Sequence, residues 1–204
     1  MEENILVKKN TPLEHPILEN IKKRWSPRVF AHKPISETDV KKIFEAGRWA
    51  PSSSNIQPWR VIWGLKGSAT YDRIFNCLDD FNQSWAGNAQ MLWINAFKKT
   101  MPKNEKENFH ALHDLGLFMG NVIHQANSMD IASHQMAGLQ FKKAHQEFGF
   151  TEDYHVATAV AFGYYGGNPE SLPTDLEKQE VKRERTRKSQ EDFAFNGNYH
   201  NKKH

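Results

Sequence analysis

The ten residues Ala50–Trp59, Ala-Pro-Ser-Ser-Ser-Asn-Ile-Gln-Pro-Trp, constrain this chain more than any other stretch. A helical pattern runs into them and a strand pattern runs out. The prolines at 51 and 58 disfavour the helical conformation in the residue before each of them. Between the prolines lie three hydroxyls and two amides, and one isoleucine is the only apolar side chain. We predict a stiff polar loop that offers donors and acceptors at a fixed position, although an ordinary serine-rich turn capped by its own side chains has the same composition.

Length and composition exclude several classes of protein. The chain has 204 residues, with 27 Lys and Arg against 24 Asp and Glu, so its net charge is +3. We expect a single domain over residues 1–204, and the small charge excess gives no argument for nucleic-acid binding. Cys77 is the only cysteine, which excludes an intrachain disulfide and a thiolate metal site. The acidic start has no apolar segment after it and no stretch is long enough to span a bilayer, so we expect a cytoplasmic protein without membrane contact.

Hydrophobic periodicity predicts alternating helices and strands. Ile17, Ile21 and Trp25 have helical spacing and are predicted to pack inward. Residues 133–138 are predicted to form a loop, and residues 98–107 a polar connection. Helices are predicted over 36–50, 69–78, 108–129 and 141–148, and strands over 59–63, 91–97, 156–162 and, near the C-terminus, 192–196.

The helix predicted over 108–129 carries an apolar stripe with a repeat of three or four residues. Its members are Leu112, Leu115, Met119, Val122, Ala126 and Met129. Gly116 and Gly120 are one turn apart and would let another backbone approach closely. Packing within the subunit explains the stripe, and so does a helical seam between two subunits.

Arg24, Ser26 and Arg28 alternate along a segment that Pro27 keeps extended, which places the three side chains on one side. Two guanidiniums and a hydroxyl in this arrangement suit a phosphate or an electron-rich ring edge, because arginine supplies forked donors. A solvated basic edge is the alternative. A second basic run, Arg-Glu-Arg-Thr-Arg-Lys, occupies residues 183–188.

Other kinds of site lack support. The glycines form neither a dinucleotide-binding fingerprint nor a phosphate-binding loop of the Walker type. His110, His113 and His124 share one predicted helix, but their spacing is not that of a zinc site. The serines at 52–54 do not follow a strand in the manner of a nucleophile elbow, which excludes a serine hydrolase of that kind.

Together, the Arg-x-Ser-x-Arg segment, the loop between the two prolines and the C-terminal basic run resemble the nitroreductase family of FMN-dependent flavoproteins. The resemblance covers about residues 21–197, and residues 24–59 carry most of its specificity. It implies an α+β fold, with a central mixed or antiparallel sheet flanked by helices, in an interlocked homodimer. It also implies that a C-terminal arm, about residues 174–204, wraps the partner subunit.

The resemblance implies FMN as cofactor and NAD(P)H as electron donor, with no catalytic side chain because FMN carries the chemistry. Arg24 and Ser26 then lie on the phosphate side and Arg28 at the pyrimidine edge. The FMN slot is implied to lie at the dimer interface, with residues of both subunits around it. The resemblance also places the long helix at that interface, which favours the seam between two subunits as the explanation of its apolar stripe. Arg183 or Lys188 could replace either C-terminal arginine as phosphate ligand. The implied cofactor-binding residues are Arg24, Trp25, Ser26, Arg28, Pro51, Ser52, Ser53, Asn55, Gln57, Met136, Ala137, Gly138, Arg185 and Arg187.

The function implied is transfer of electrons from NAD(P)H to an electron-poor small molecule, such as a nitroaromatic or a quinone, by a ping-pong mechanism. A specialised member of the same fold, acting in dehalogenation, flavin fragmentation or ring oxidation, is an alternative. A nucleic-acid-binding module that uses the basic residues 182–188 is a weaker alternative. A yellow purified protein would count against it.

Overall fold

The computed structural model describes residues 4–199. Residues 1–3 and 200–204, at the ends of the predicted domain and of its C-terminal arm, lie outside the described part. Within that part, one antiparallel sheet has the strand order β1-β2-β4-β3. Its strands are β1 (Trp59–Leu65), β2 (Met91–Lys98), β3 (Ile131–Met136) and β4 (Tyr154–Tyr164). The apolar runs predicted over 91–97 and 156–162 therefore form the two central strands.

The helices fall largely where periodicity predicts them. They are α1 (Glu19–Lys23), α2 (Glu37–Arg48), α3 (Ala69–Cys77), α4 (Asp80–Ala86), α5 (Ala111–Ser128), α6 (Phe141–Glu147) and α7 (Thr174–Val181). Ser36 caps α2, since its Oγ accepts the amide of Asp39. The sequence analysis did not predict α4 or α7, which are short and polar.

Apolar side chains fill both faces of the sheet, as alternation along β2 shows. Met91 and Trp93 pack with α2 and α5 on one face, while Leu92 and Ile94 pack with α3, α4 and α6 on the other. Each of these four β2 side chains is 0 % exposed. An antiparallel sheet with helices on both faces is the α+β class predicted from the sequence, which is confirmed.

The secondary structure predicted for two segments is wrong. Residues 133–136, predicted as loop, belong to β3, an edge strand whose mixture of Ser, His and Gln hides its period. Residues 192–196, predicted as a strand, follow a 3₁₀ turn over Gln190–Asp192. Ser189 and Asp192 close that turn by exchanging side-chain and backbone hydrogen bonds, which competes with extended structure.

The inward packing predicted for the N-terminal apolar residues is also wrong. Ile17 and Ile21 are 42 % and 44 % exposed. Polar contacts decide the orientation of α1 instead: Asn20 donates to the carbonyl of His124 at 2.7 Å, and Asn127 donates to the carbonyl of Asn20 at 2.7 Å. Because the side chain of Asn20 faces α5, the adjacent Ile21 lies on a different side of this short helix.

The stripe and the two glycines on α5 lie on different faces of the helix. Leu115, Met119, Val122 and Ala126 pack into the subunit's own core, whereas Leu112 is 61 % exposed. A Cβ built on Gly116 or Gly120 would meet no atom within 4 Å among the described residues. The stripe is therefore explained by intrasubunit packing, and the glycines belong to an open face beside it. No helix in the described ranges is long and apolar enough to cross a membrane.

The contact between α2 and α5 gives a direct test of packing. A Cβ on Gly47 would lie 2.5 Å from Phe118 Cε2 and 2.8 Å from Val122 Cγ2. Gly47→Ala should therefore lower the free energy of unfolding by about 1–3 kcal/mol in urea titrations, because overpacking outweighs the gain in helix propensity. Lys41→Ala, at an exposed position of the same helix, is the control, with an expected change within about 0.5 kcal/mol. A Gly47→Ala protein as stable as wild type would contradict this packing.

Candidate functional site

Arg28 lies in the extended segment between α1 and the buried Val29, and other parts of the chain fix its main chain from both sides. The main-chain N–H of Arg28 donates to Glu180 Oε1 at 3.0 Å, and its carbonyl accepts Asn88 Nδ2 at 2.8 Å. The Nε atom of Arg28 is buried and has no hydrogen-bond partner among residues 4–199. A fixed backbone with an unpartnered, buried guanidinium N–H is the arrangement of a donor prepared for a group outside the chain.

His134 on β3 fixes the next carbonyl of this segment. Its Nδ1 lies 3.0 Å from the carbonyl oxygen of Pro27, and its ring lies 4.6 Å from that of Trp85. Burial lowers the pKa of His134 to about 4, partly opposed by the Pro27 hydrogen bond, and the Arg28 charge lowers it further. The imidazole is therefore neutral near pH 7, and since a carbonyl only accepts, the proton is assigned to Nδ1.

The C-terminal basic run returns to the same segment. Arg185 Nη1 donates to the carbonyl of Arg24 at 2.6 Å, and Nη2 donates to the carbonyl of Lys22 at 2.6 Å and to Thr11 Oγ1. Burial lowers the pKa of Arg185 most, and the charges of Arg24 and Arg187 lower it further. Arg185 thus fastens the two segments together, and its donors are largely used within the chain.

Arg24 and Arg187 keep more of their donor capacity. Arg24 Nη1 donates to Ser26 Oγ at 3.2 Å, and Arg187 Nη1 donates to the carbonyl of Thr186 at 2.7 Å. Neither guanidinium has a carboxylate within 4.0 Å in the described part of the chain. Arg187 is the predicted C-terminal ligand with donors still free, whereas Arg183 and Lys188 do not line the groove described next.

These side chains surround a surface groove of about 300 Å³. Its lining contains six cationic side chains and two acidic ones, so the groove is electropositive. It is suited to an anion that arginine forks and a serine hydroxyl can bind together. The lining residues are Lys9, Arg24, Trp25, Ser26, Arg28, Gln179, Glu180, Lys182, Glu184, Arg185 and Arg187.

The loop after β3, residues 136–138, packs against the start of α4. The carbonyl of Gly138 accepts Asn82 Nδ2 at 2.9 Å and the amide of Asp79 at 3.2 Å. A Cβ at position 138 would come within 2.2 Å of Asp79 Oδ2, so this approach requires glycine. The chain enters the loop from Met136, which is buried, and Ala137 is exposed. His134 on the same strand contacts the carbonyl of Pro27, so β3 connects this loop to the segment that carries Arg28.

The loop between the two prolines is held in an unusual backbone conformation. Ser54, Asn55 and Gln57 have φ of 50°, 54° and 52°, in the left-handed region that costs non-glycine residues free energy. The amide of Gln57 donates to Ser52 Oγ at 3.0 Å, and the amide of Ser53 donates to the buried carboxylate of Asp114 at 3.1 Å. Pro51 precedes this turn and is exposed. The loop is therefore braced both by its own side chains and by α5.

One subunit does not bring the loop to the groove. The loop lies at the Asp114 end of α5, and α1 lies at the Asn127 end, 13 residues and about 20 Å along the helix axis. The loop leads into β1, which is one edge strand of the sheet, whereas β3 is the other. Strands β1 and β3 are three strand spacings apart, or about 14 Å. One groove thus brings together six predicted residues, namely Arg24, Trp25, Ser26, Arg28, Arg185 and Arg187. Residues 136–138 are connected to it through His134 on β3. The structure places the other predicted residues elsewhere: Pro51, Ser52, Ser53, Asn55 and Gln57.

The sequence did not predict several side chains that line or support the groove, among them Glu180, Asn88 and Lys9. Glu180 and Asn88 act on the main chain of Arg28, and Lys9 Nζ donates to the carbonyl of Glu180 at 2.6 Å and lies 4.1 Å from the Trp25 ring centroid. A single glutamate in a charged helix and a lysine near the N-terminus carry no local signal. Within the described ranges, the His, Asp, Glu and Cys side chains form no group of three that could hold a metal ion.

Known proteins are similar to this chain in sequence and in fold. The model of the "Nitroreductase family" matches residues 21–78. A Staphylococcus saprophyticus protein whose name assigns it to the NAD(P)H nitroreductases is 26 % identical over 202 residues, covering 78 % of this chain and 92 % of the relative. A solved structure described as an oxidoreductase containing FMN has a TM-score of 0.88 at 28 % identity and covers 97 % of this chain and 100 % of its own. The fold is also that of NfnB, an FMN- and NADPH-dependent nitroreductase from Sphigopyxis sp. strain HMH, with a TM-score of 0.67 at 15 % identity over 89 % of this chain and 98 % of NfnB.

The architecture is that of the FMN-containing oxidoreductase structure along the whole chain. The segment that the family model matches contains the arginine segment and the loop between the prolines. The chain is therefore similar to proteins of the nitroreductase family in sequence, and to FMN-containing oxidoreductase and nitroreductase structures in fold.

The neutral His134 predicts a pH dependence of stability. Its pKa is about 4 in the folded protein against 6.5 ordinarily, so between these values the unfolded chain binds the additional proton and stability rises with pH. The slope from one proton is at most about 1.4 kcal/mol per pH unit. His134→Asn keeps a donor for the Pro27 carbonyl without titrating and should remove this part of the slope in urea unfolding between pH 4 and 7. His15→Asn, at an exposed position, should leave the slope unchanged. Equal slopes in wild type and His134→Asn would contradict the assignment.

Proposed function

We propose that this protein is an FMN-dependent oxidoreductase that takes electrons from NAD(P)H and passes them to an electron-poor small molecule, such as a nitroaromatic or a quinone, in a ping-pong cycle. The observation that carries the proposal is the groove in which the guanidiniums of Arg24, Arg28 and Arg187 form no ion pair with a carboxylate of the described residues. The names of the relatives give the cofactor and the electron donor.

The donor set fits FMN. A terminal phosphate carries up to two negative charges and three acceptor oxygens, which the guanidiniums of Arg24 and Arg187 and the hydroxyl of Ser26 can bind. No glycine-rich helix start adjoins the groove in the described chain, so a pyrophosphate such as that of FAD has no matching site. When bound, FMN supplies the hydride and electron chemistry, and no acid or base of the protein is required.

The side chains of this chain bind and orient the cofactor. Arg24, Ser26 and Arg187 hold the phosphate, and Arg185 supports them by fastening the carbonyl of Arg24. Trp25 contributes the wall of the groove. Arg28 points its buried, unpartnered Nε at the pyrimidine edge, where a fixed cation stabilises negative charge without reorganisation. The loop of Met136, Ala137 and Gly138 borders the ring on the side of β3, with Ala137 as its exposed residue.

The remaining predicted contacts come from a second copy of the chain. The loop with Pro51, Ser52, Ser53, Asn55 and Gln57 is too far from the groove of its own subunit, so we propose that it completes the groove of the partner in a homodimer. The open face of α5, with Gly116, Gly120 and the exposed Leu112, is available for that contact. Residues 174–187 pack on their own subunit, through the buried Leu176 and Glu180. Wrapping of the partner by the arm stays a prediction for the residues that follow.

The proposed function is tested by the visible spectrum of the purified protein and by anaerobic titration with NADH and NADPH. We expect a flavin absorption band that bleaches with one of the two donors, and a cofactor that runs as FMN on chromatography after heat release. A screen of nitroaromatics and quinones then identifies the acceptor class. Colourless protein that takes up no FMN would reject the proposal, and released FAD would reject the phosphate assignment.

Arg24→Ala should weaken FMN binding by about 1.5–3 kcal/mol, roughly ten- to a hundredfold in Kd, since a charged hydrogen-bonding partner of the phosphate is lost. The Kd is measured by quenching of FMN fluorescence. Arg183→Ala is the matched control, because it also removes one arginine charge, from the C-terminal basic run, but the Arg183 side chain does not line the groove. Equal losses in both variants would mean that the general positive field, and no specific contact, binds FMN.

Gly116→Arg should separate the dimer, because a long charged side chain on the open face of α5 blocks close approach of the second copy. Within its own subunit the substitution meets no atom within 4 Å of the new Cβ among the described residues. We expect the dimer Kd to rise by about tenfold or more in sedimentation velocity, with weaker FMN retention. Thr38→Arg, on the exposed side of α2, should leave both unchanged. A Gly116→Arg protein that remains dimeric would show that the interface lies on another face.

A further inference from the structure

Glu180 is buried without belonging to any site that the family comparison implies. It lies on the last turn of α7 and is 1 % exposed. Its Oε1 accepts the main-chain N–H of Arg28 at 3.0 Å and that of Val29 at 3.4 Å. Burying a carboxylate is unfavourable, and burial raises the pKa of Glu180, with the two N–H donors and the charges of Lys9 and Arg28 acting in the opposite direction.

The end of α7 is tied to the N-terminal part of the chain by consecutive contacts. Lys9 Nζ donates to the carbonyl of Glu180 at 2.6 Å and to that of Lys182 at 2.5 Å. The amide of Asn10 donates to the carbonyl of Arg183 at 2.8 Å. Arg185 then reaches the carbonyl of Arg24. Glu180 is the first of these contacts and the one that acts directly on Arg28.

We infer that Glu180 is a positioning residue for the cofactor's phosphate and pyrimidine edge: by holding the amides of Arg28 and Val29 it sets the direction of the Arg24–Arg28 donors and keeps them in register with Arg187. The inference rests on the proposed function, because it takes FMN as the ligand of the groove. The carboxylate of Glu180 accepts two main-chain amides and thereby positions the Arg24–Arg28 segment. Its negative charge, by contrast, repels an anion bound in the groove.

Geometry and charge make opposite predictions, which allows a sharp test. If Glu180 acted by charge alone, replacing it with a neutral residue would tighten binding of an anionic phosphate. If it acts by position, Glu180→Ala leaves two amides without an acceptor and weakens FMN binding, by roughly ten- to a hundredfold. Glu180→Gln keeps an acceptor oxygen in the same place, so FMN binding should stay within about threefold of wild type.

The experiment measures three quantities on the full-length protein. FMN affinity is determined by fluorescence quenching, the midpoint potential of bound FMN by potentiometry, and the exchange of the Arg28 and Val29 amides by NMR. In Glu180→Ala we expect weaker affinity and faster exchange of both amides. We also expect a lower midpoint potential, because a displaced Arg28 stabilises the negative charge of reduced FMN less. Loss of a negative charge alone would raise the potential. Glu177→Ala, one turn earlier on α7 and outside the groove lining, should match wild type in all three.

The outcomes separate this inference from the proposed function. Wild type that binds FMN and weakens in Arg24→Ala, but not in Glu180→Ala, overturns the inference and leaves the function intact. Wild type that takes up no FMN overturns the function and the inference with it. If Glu180→Ala does not fold, Glu180→Gln decides: affinity and exchange near wild type support positioning, and a loss of about tenfold or more, with the acceptor still present, overturns it.

Discussion

The hydrogen bonds that hold the main chain of Arg28 are the constraint on which the candidate site depends. A guanidinium at the end of a long side chain recognises a ligand only if its base is fixed, since free rotamers lose entropy on binding. Here Glu180 holds the amide, Asn88 holds the carbonyl, and His134 holds the carbonyl one residue earlier. These three side chains come from α7, from the turn that follows α4 and from β3, so three separate elements fix the same short extended segment.

Positive charge and free donors are divided between different arginines. Arg185 uses its N–H groups on carbonyls and a hydroxyl, so it adds charge to the groove without offering many donors. Arg24 and Arg187 keep free N–H donors. Their positive charges lower the pKa of Arg185, in addition to the larger effect of burial. Such a cluster is unfavourable by itself and becomes favourable when an anion is present. The arrangement therefore links the fastening of the C-terminal segment to the electrostatics of the groove.

The sequence predicts the parts of this fold that are decided locally. The central strands β2 and β4 follow from uninterrupted apolar runs, and α2 follows from its cap and its periodic face. It does not predict β3, an edge strand with a polar middle, nor the outward side of α1, which Asn20 decides through partners more than a hundred residues away. The motif residues were found because they lie close together in the chain. Glu180 was missed because its role exists only through a contact 152 residues distant.

The tie between the two chain ends has a consequence for biosynthesis. The groove needs residues 9–28 and residues 180–187 at the same time, whereas the sheet is complete once β4 has been made. Loops of this length close late, since long-range contacts form after local ones. A nascent chain therefore passes through a stage in which the hydrophobic layers are assembled and the groove does not yet exist. The groove is complete only once Arg187 has left the ribosome and its segment has returned to residues 9–28.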